Sequence, residues 1–146
     1  MELENFWFTE DGKYTFSKNG MVYRTSNATS SDDTFNAEIN AIGQLNNNSY
    51  YFNSAWIDHS AAKHSIWAII SDIYYYYDYT NIYRFEDNDY SLMNVYNYTD
   101  YYIKDGIEHS VQANYIFANG EGNELCVIRN ATDETAWSIE FIQVTD

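Results

Sequence analysis

The chain has 146 residues, a formal net charge of −15, 45% hydrophobic residues and a single cysteine. That length and apolar content support one domain, residues 1–146, with a buried core rather than a disordered chain, and one cysteine excludes an internal disulfide framework. The charge repels DNA, RNA and anionic membranes and attracts basic surfaces, so direct nucleic-acid or membrane binding is not expected.

The opening Met1-Glu2-Leu3-Glu4 is acidic where a secretory leader carries a basic region, and a cytoplasmic chain is expected. Asn-x-Ser/Thr matches at Asn27, Asn47, Asn97 and Asn130 keep a secreted form open. Lysine occurs only at 13, 18, 63 and 104 in a chain rich in asparagine, isoleucine and tyrosine, so lysine is avoided rather than unavailable. Self-repulsion on this scale opposes compaction and calls for a basic partner, a salty medium or a solubility role.

From the N-terminus, Phe6-Trp7-Phe8, Lys13-Tyr14-Thr15-Phe16 and Met21-Val22-Tyr23-Arg24-Thr25 are separated by Asp11-Gly12 and Asn19-Gly20. Asx-Gly pairs supply the positive φ that tight hairpins require, so residues 5–25 are predicted as a three-stranded antiparallel meander. Residues 34–45 fit both a strand and a helix; the following Asn46-Asn47-Asn48 and Tyr50-Tyr51-Phe52 favour a hairpin. Ala62, Ile66, Ile69, Ile70, Ile73 and Tyr77 fall on one stripe at helical spacing, with Ser60 as cap, and predict one amphipathic helix near residues 60–72.

Beyond Asn81 the pattern is again that of strands. Ile82–Phe85, Tyr90–Tyr96, Asp100–Ile103, Ile107–Phe117, Glu124–Arg129 and Ala136–Val144 are separated by short polar turns. In the last of these, Trp137, Ile139 and Phe141 alternate with Ser138 and Glu140. The fold class expected is mainly β (α+β): an antiparallel meander closing into a barrel or sandwich, with the one helix packed on it.

No constellation names a reaction. His59 and His64 are five apart and do not share a helix face as a metal-binding pair would. Asn119 to Glu124 alternates oxygen donors but lacks the glycine and glutamate positions of a calcium loop. Cys126 lies in the apolar run Leu125–Ile128, where a buried, inert thiol is expected. No metal, cofactor or catalytic residue is assigned, and a non-enzymatic protein is expected.

What remains is Ile66 to Asp105, which holds eleven of the sixteen tyrosines together with seven aspartates and glutamates. Exposed tyrosine beside carboxylate suits an arginine- or lysine-rich surface through ion pairs and cation–π contacts. The candidate partner-binding residues are Asp78, Tyr79, Glu86, Asp87, Asp89, Tyr98, Asp100 and Tyr101. The function expected is an acidic inhibitor docking on the basic site of a partner, such as a nucleic-acid-binding enzyme. Its most specific form is a phage- or virus-encoded nucleic-acid mimic acting against host defence. The alternative is a lipocalin-like or sandwich-type domain binding a small ligand or glycan through exposed aromatic residues, which requires an apolar cavity.

Overall fold

The computed structural model describes residues 6–18, 20–25, 34–38, 54–70 and 81–146. They are mainly antiparallel β structure, including a half-barrel, with no helix among the described residues. The strands are β1 (Phe6–Phe8), β2 (Tyr14–Ser17), β3 (Met21–Arg24), β4 (Thr34–Glu38), β5 (Ser54–Ser60) and β6 (Ser65–Ile70). They continue with β7 (Asn81–Glu86), β8 (Leu92–Asn97), β9 (Tyr101–Lys104), β10 (Ile107–Ala118), β11 (Glu124–Ala131) and β12 (Trp137–Gln143). Three four-stranded sheets result, ordered β1-β2-β3-β4, β5-β6-β7-β8 and β12-β11-β10-β9.

The N-terminal meander forms as its turn residues dictate. Gly12 (φ 68°) and Gly20 (φ 82°) take the left-handed conformations that end β1 and return β2. Residues 34–38 add a fourth strand to this sheet, pairing with β3. Residues 39–45, the asparagine turn and Tyr50–Phe52 lie outside the described residues.

The second sheet is covered on both faces. Ile57, Ile66, Ala68 and Phe85 pack with Trp7, Phe16 and Val22 of the first sheet. Trp67, Ile69 and Ile82 point the other way, into a core with Ala113, Ile116, Leu125 and Val127 of the third sheet. Trp56 touches both cores and meets Trp7 edge-on, with ring centroids 5.9 Å apart. β10 runs beside β5 and β6, and there the Ala118 amide donates to Asp58 Oδ2 at 2.7 Å, joining the second and third sheets.

The helix expected near residues 60–72 is therefore corrected to a hairpin. Ser60 ends β5, residues 61–64 turn, and Ser65–Ile70 is β6; residues 71 and 72 lie outside the described residues. Both alternate sets of side chains in β6 are buried, so the strand reads as a continuous apolar run without the period-two signal. A run of that kind also satisfies a helical stripe by chance.

Candidate functional site

Four loops meet at one end of the molecule. They are the β1–β2 loop (residues 9–13), the β5–β6 turn (61–64), the β7–β8 turn (87–91) and the β10–β11 loop (119–123). His59 fastens the first to the third: the Glu10 amide donates to Nδ1 at 3.1 Å, and Nε2 faces Asp87 Oδ2 at 3.2 Å. Because Nδ1 is an acceptor here, the neutral ring carries its proton on Nε2 and donates it to Asp87. Glu10 Oε2 accepts the Ala61 amide at 2.7 Å, the Asp87 amide donates to the His64 carbonyl at 3.0 Å, and His64 Nδ1 lies 3.4 Å from Asp87 Oδ1.

The fourth loop is closed by its own side chains. Asn119 Oδ1 accepts the amides of Asn123 and Glu124, and Asn123 Nδ2 donates to Glu121 at 3.0 Å. Its donor oxygens thus serve the turn itself. Gly122, at φ 66°, lets this loop sit against Ser60 and Lys63, where a Cβ would come within 2.6 Å of Lys63 Cγ. Among the described residues, no group of three His, Cys, Asp or Glu side chains converges as metal ligands would.

This end is acidic. Glu10, Asp11, Asp89 and Glu121 are exposed, and Glu86 and Asp87 are half-buried beside them. Lys13 pairs with Asp11 at 2.8 Å, and that bond with the Thr9 hydroxyl holds the Asp11 carboxyl well below the usual carboxylate range. The Ser91 side chain and amide similarly lower Asp89, whose Oδ1 accepts the amide at 2.9 Å. An opening of about 540 Å³ between the loops is walled by Asp11, Lys13, Tyr14, His59, His64 and Asp87, among others.

The opposite end carries the rest of the predicted surface. The β9–β10 hairpin projects with Asp100, Tyr101, Asp105 and Glu108 exposed. Its other side is tied to the β11–β12 loop. Tyr102 donates its hydroxyl to Glu134, Lys104 pairs with Glu134 at 3.1 Å, and His109 Nδ1 lies 3.1 Å from Asp133 Oδ2.

The eight candidate residues thus do not form one surface. Glu86, Asp87 and Asp89 gather at one end. Asp100 and Tyr101 stand at the other, beyond the six-residue β8, which spans roughly 20 Å. Tyr98 is a core residue, 5% exposed, whose hydroxyl accepts the Ala113 amide at 2.9 Å. Asp78 and Tyr79 lie outside the described residues. Of the tyrosines described between Ile66 and Asp105, Tyr83 and Tyr90 pack on the first core and Tyr96 and Tyr98 on the second, while Tyr102 is half-buried against Glu134 and Tyr101 is exposed.

The residues missed from sequence lie on the outward face of the third sheet. Tyr115, Phe117, Trp137, Ile139 and Phe141 are all exposed there. Cys126 is half-buried between Phe117 and Phe141 rather than enclosed in the core. The alternation of Trp137-Ser138-Ile139-Glu140-Phe141 was visible in sequence, but it runs opposite to the usual sense: the polar members face inward. Glu140 meets the buried Arg129 there at 2.8 Å and accepts the Thr99 amide at 2.8 Å.

No protein-family model, no curated protein and no solved structure matches this chain.

Proposed function

We propose that this chain is a non-enzymatic acidic binding protein that docks on a basic surface of another protein through its four-loop end. Glu86 and Asp89 of the β7–β8 hairpin, Glu10 of the β1–β2 loop and Glu121 of the β10–β11 loop supply its carboxylates. The observation that carries the reading is the distribution of cations. Lys13, Lys63, Arg84, Lys104 and Arg129 are each already paired with a carboxylate of the same chain. Among the described residues, Glu10, Asp89, Asp100, Asp105, Glu108 and Glu121 are exposed and belong to none of these pairs, and such carboxylates would steer and orient a basic partner.

The non-enzymatic part of the reading is supported by His59, whose acceptor nitrogen is taken by a backbone amide and whose donor is taken by Asp87. The ligand-binding alternative needs an apolar cavity, whereas the opening at this end is walled largely by polar and charged groups. In the most specific form of the proposal, the loop carboxylates stand in for phosphates and the partner is a nucleic-acid-binding enzyme.

The test is capture of a partner from lysate at low salt, elution along a salt gradient, and competition with duplex DNA. The expected result is a nucleic-acid-binding protein that elutes at moderate salt, is displaced by DNA, and is lost with the double charge reversal Glu86→Lys, Asp89→Lys. Retention unchanged by that reversal, or insensitive to salt, would overturn the proposal.

A further inference from the structure

We infer that the outward face of the third sheet is a self-association surface, on which a second copy of this chain docks face to face. This face adjoins the β10–β11 loop at one edge, but the inference does not depend on the docking role of the acidic loops. Its origin is the inverted strand β12. An edge strand covered on one side ordinarily turns its apolar residues inward, yet here Trp137, Ile139 and Phe141 are 59%, 57% and 63% exposed. Glu140 points inward to serve Arg129. Placing those apolar groups in water is unfavourable unless another surface removes them from it.

The exposed groups are contiguous. The ladder aligns Phe117 with Cys126 and Phe141 in one row, and Tyr115 with Ile128 and Ile139 in the next. Tyr115 and Trp137 lie nearly parallel with ring centroids 6.3 Å apart, bridging neighbouring rows. On the same side of the sheet, the β9–β10 hairpin adds Tyr101 and Ile103, which are 41% and 67% exposed. At the burial that aromatic and large aliphatic side chains provide, these groups offer on the order of 700 Å² of surface. That exceeds the roughly 300–600 Å² apolar patch of an ordinary monomer and approaches the roughly 800 Å² per partner of a standard interface.

Apolar area and low local charge point to the occupant. Between Glu108 and Glu124 at its margins, the face presents Ser110, Gln112, Asn130 and Gln143 among the apolar groups, none of them charged. A basic partner finds only Glu108 and Glu124 as counter-charge there, and a second copy is repelled by the net charge of −15 only until salt screens it. A second copy offers the same uncharged, apolar surface. Facing sheets in this way keeps the four-loop ends, with Glu86 and Asp89, off the contact. The association is isologous, and apolar β-sheets stack in this manner about 10 Å apart.

The decisive experiment is sedimentation velocity of the full chain over a hundredfold range of concentration, at moderate salt to screen its charge. Wild type is expected to approach the mass of two chains as concentration rises, and Ile139→Asp and Phe141→Asp to keep the mass of one. All three should keep the same circular dichroism, because both positions are exposed in the single chain, while the thermal midpoint of wild type alone should rise with concentration. Acrylamide quenching gives a second reading that does not depend on the variants. Trp7 and Trp67 are buried and Trp56 is partly covered, so the quenchable fluorescence belongs mainly to Trp137 and should fall as concentration rises. A wild type with single-chain mass and concentration-independent quenching overturns the inference. So does a two-chain mass that survives both aspartates, and so does a single-chain wild type that instead binds vesicles or glycans through Trp137.

Discussion

His59 stands between Glu10 and Asp87, accepting an amide proton from the first at 3.1 Å and donating to the carboxylate of the second at 3.2 Å. One imidazole thereby joins a loop of the first sheet to a turn of the second. Its side chain is 6% exposed and that of Asp87 18%. Asp87 therefore has a structural duty that Glu86 and Asp89 do not share.

Separating that duty from partner binding needs two substitutions. Asp87→Ala removes the acceptor of a buried N–H and is expected to lower stability by about 1–3 kcal/mol in urea denaturation. Asp87→Asn keeps an acceptor oxygen and should stay within about 1 kcal/mol of wild type. A result in which both variants unfold like wild type would remove the fastening role assigned to this pair.

Tyr98 provides the matching test in the second core. Its hydroxyl accepts the buried Ala113 amide next to the β10 bulge, so Tyr98→Phe leaves that amide without this acceptor. A loss of about 1–3 kcal/mol is expected by thermal or chemical denaturation. Affinity for a basic partner should not change. A variant with full stability and weakened binding would return Tyr98 to the docking surface.

How much of this could be read in the sequence depends on how many faces of a strand are covered. Strands β1 to β3 were legible because Gly12 and Gly20 punctuate them. Strands β7 to β12 were legible because short polar turns separate them. β6 was not, since burial on both faces erased the alternation that marks a strand. In β12 the period was plain but its phase was not. Which half of an alternating set faces inward is decided by the neighbouring sheet, here by Arg129 reaching for Glu140. The acidic candidates had the same difficulty: closeness in sequence between Asp89 and Asp100 conceals the length of β8 that separates them.

Gly122 is a place where the backbone, rather than a side chain, holds the site together. Its φ of 66° disfavours any L residue, and a Cβ would run into Ser60 and Lys63 of the facing β5–β6 turn. Gly122→Ala is expected to cost about 1–3 kcal/mol through strain and forced displacement of the Lys63 side chain. By contrast, Gly120→Ala meets open space and should be nearly silent. Equal melting temperatures for the two variants would show that the loop does not need its close seat on the turn.

Asp58 makes the stability of the seam between the second and third sheets depend on pH. Burial raises its carboxyl above the ordinary value, while the amides of Ala118 and His59 act in the opposite direction. The folded state therefore holds the proton more tightly than the unfolded chain, which releases it near pH 4. The contribution of protonated Asp58 is complete below that value and is lost as pH rises through the folded one, leaving an ionised, partly desolvated carboxylate at neutral pH. Asp58→Asn keeps an acceptor for the Ala118 amide without the charge. Its urea midpoint should exceed that of wild type at pH 7, and the advantage should vanish below pH 4. Asp58→Ala loses the acceptor as well and should cost about 1–3 kcal/mol at both values. An asparagine variant weaker than wild type at pH 7 would reverse the sign: the two amides would then outweigh desolvation, and the ionised carboxylate would be a net support of the seam.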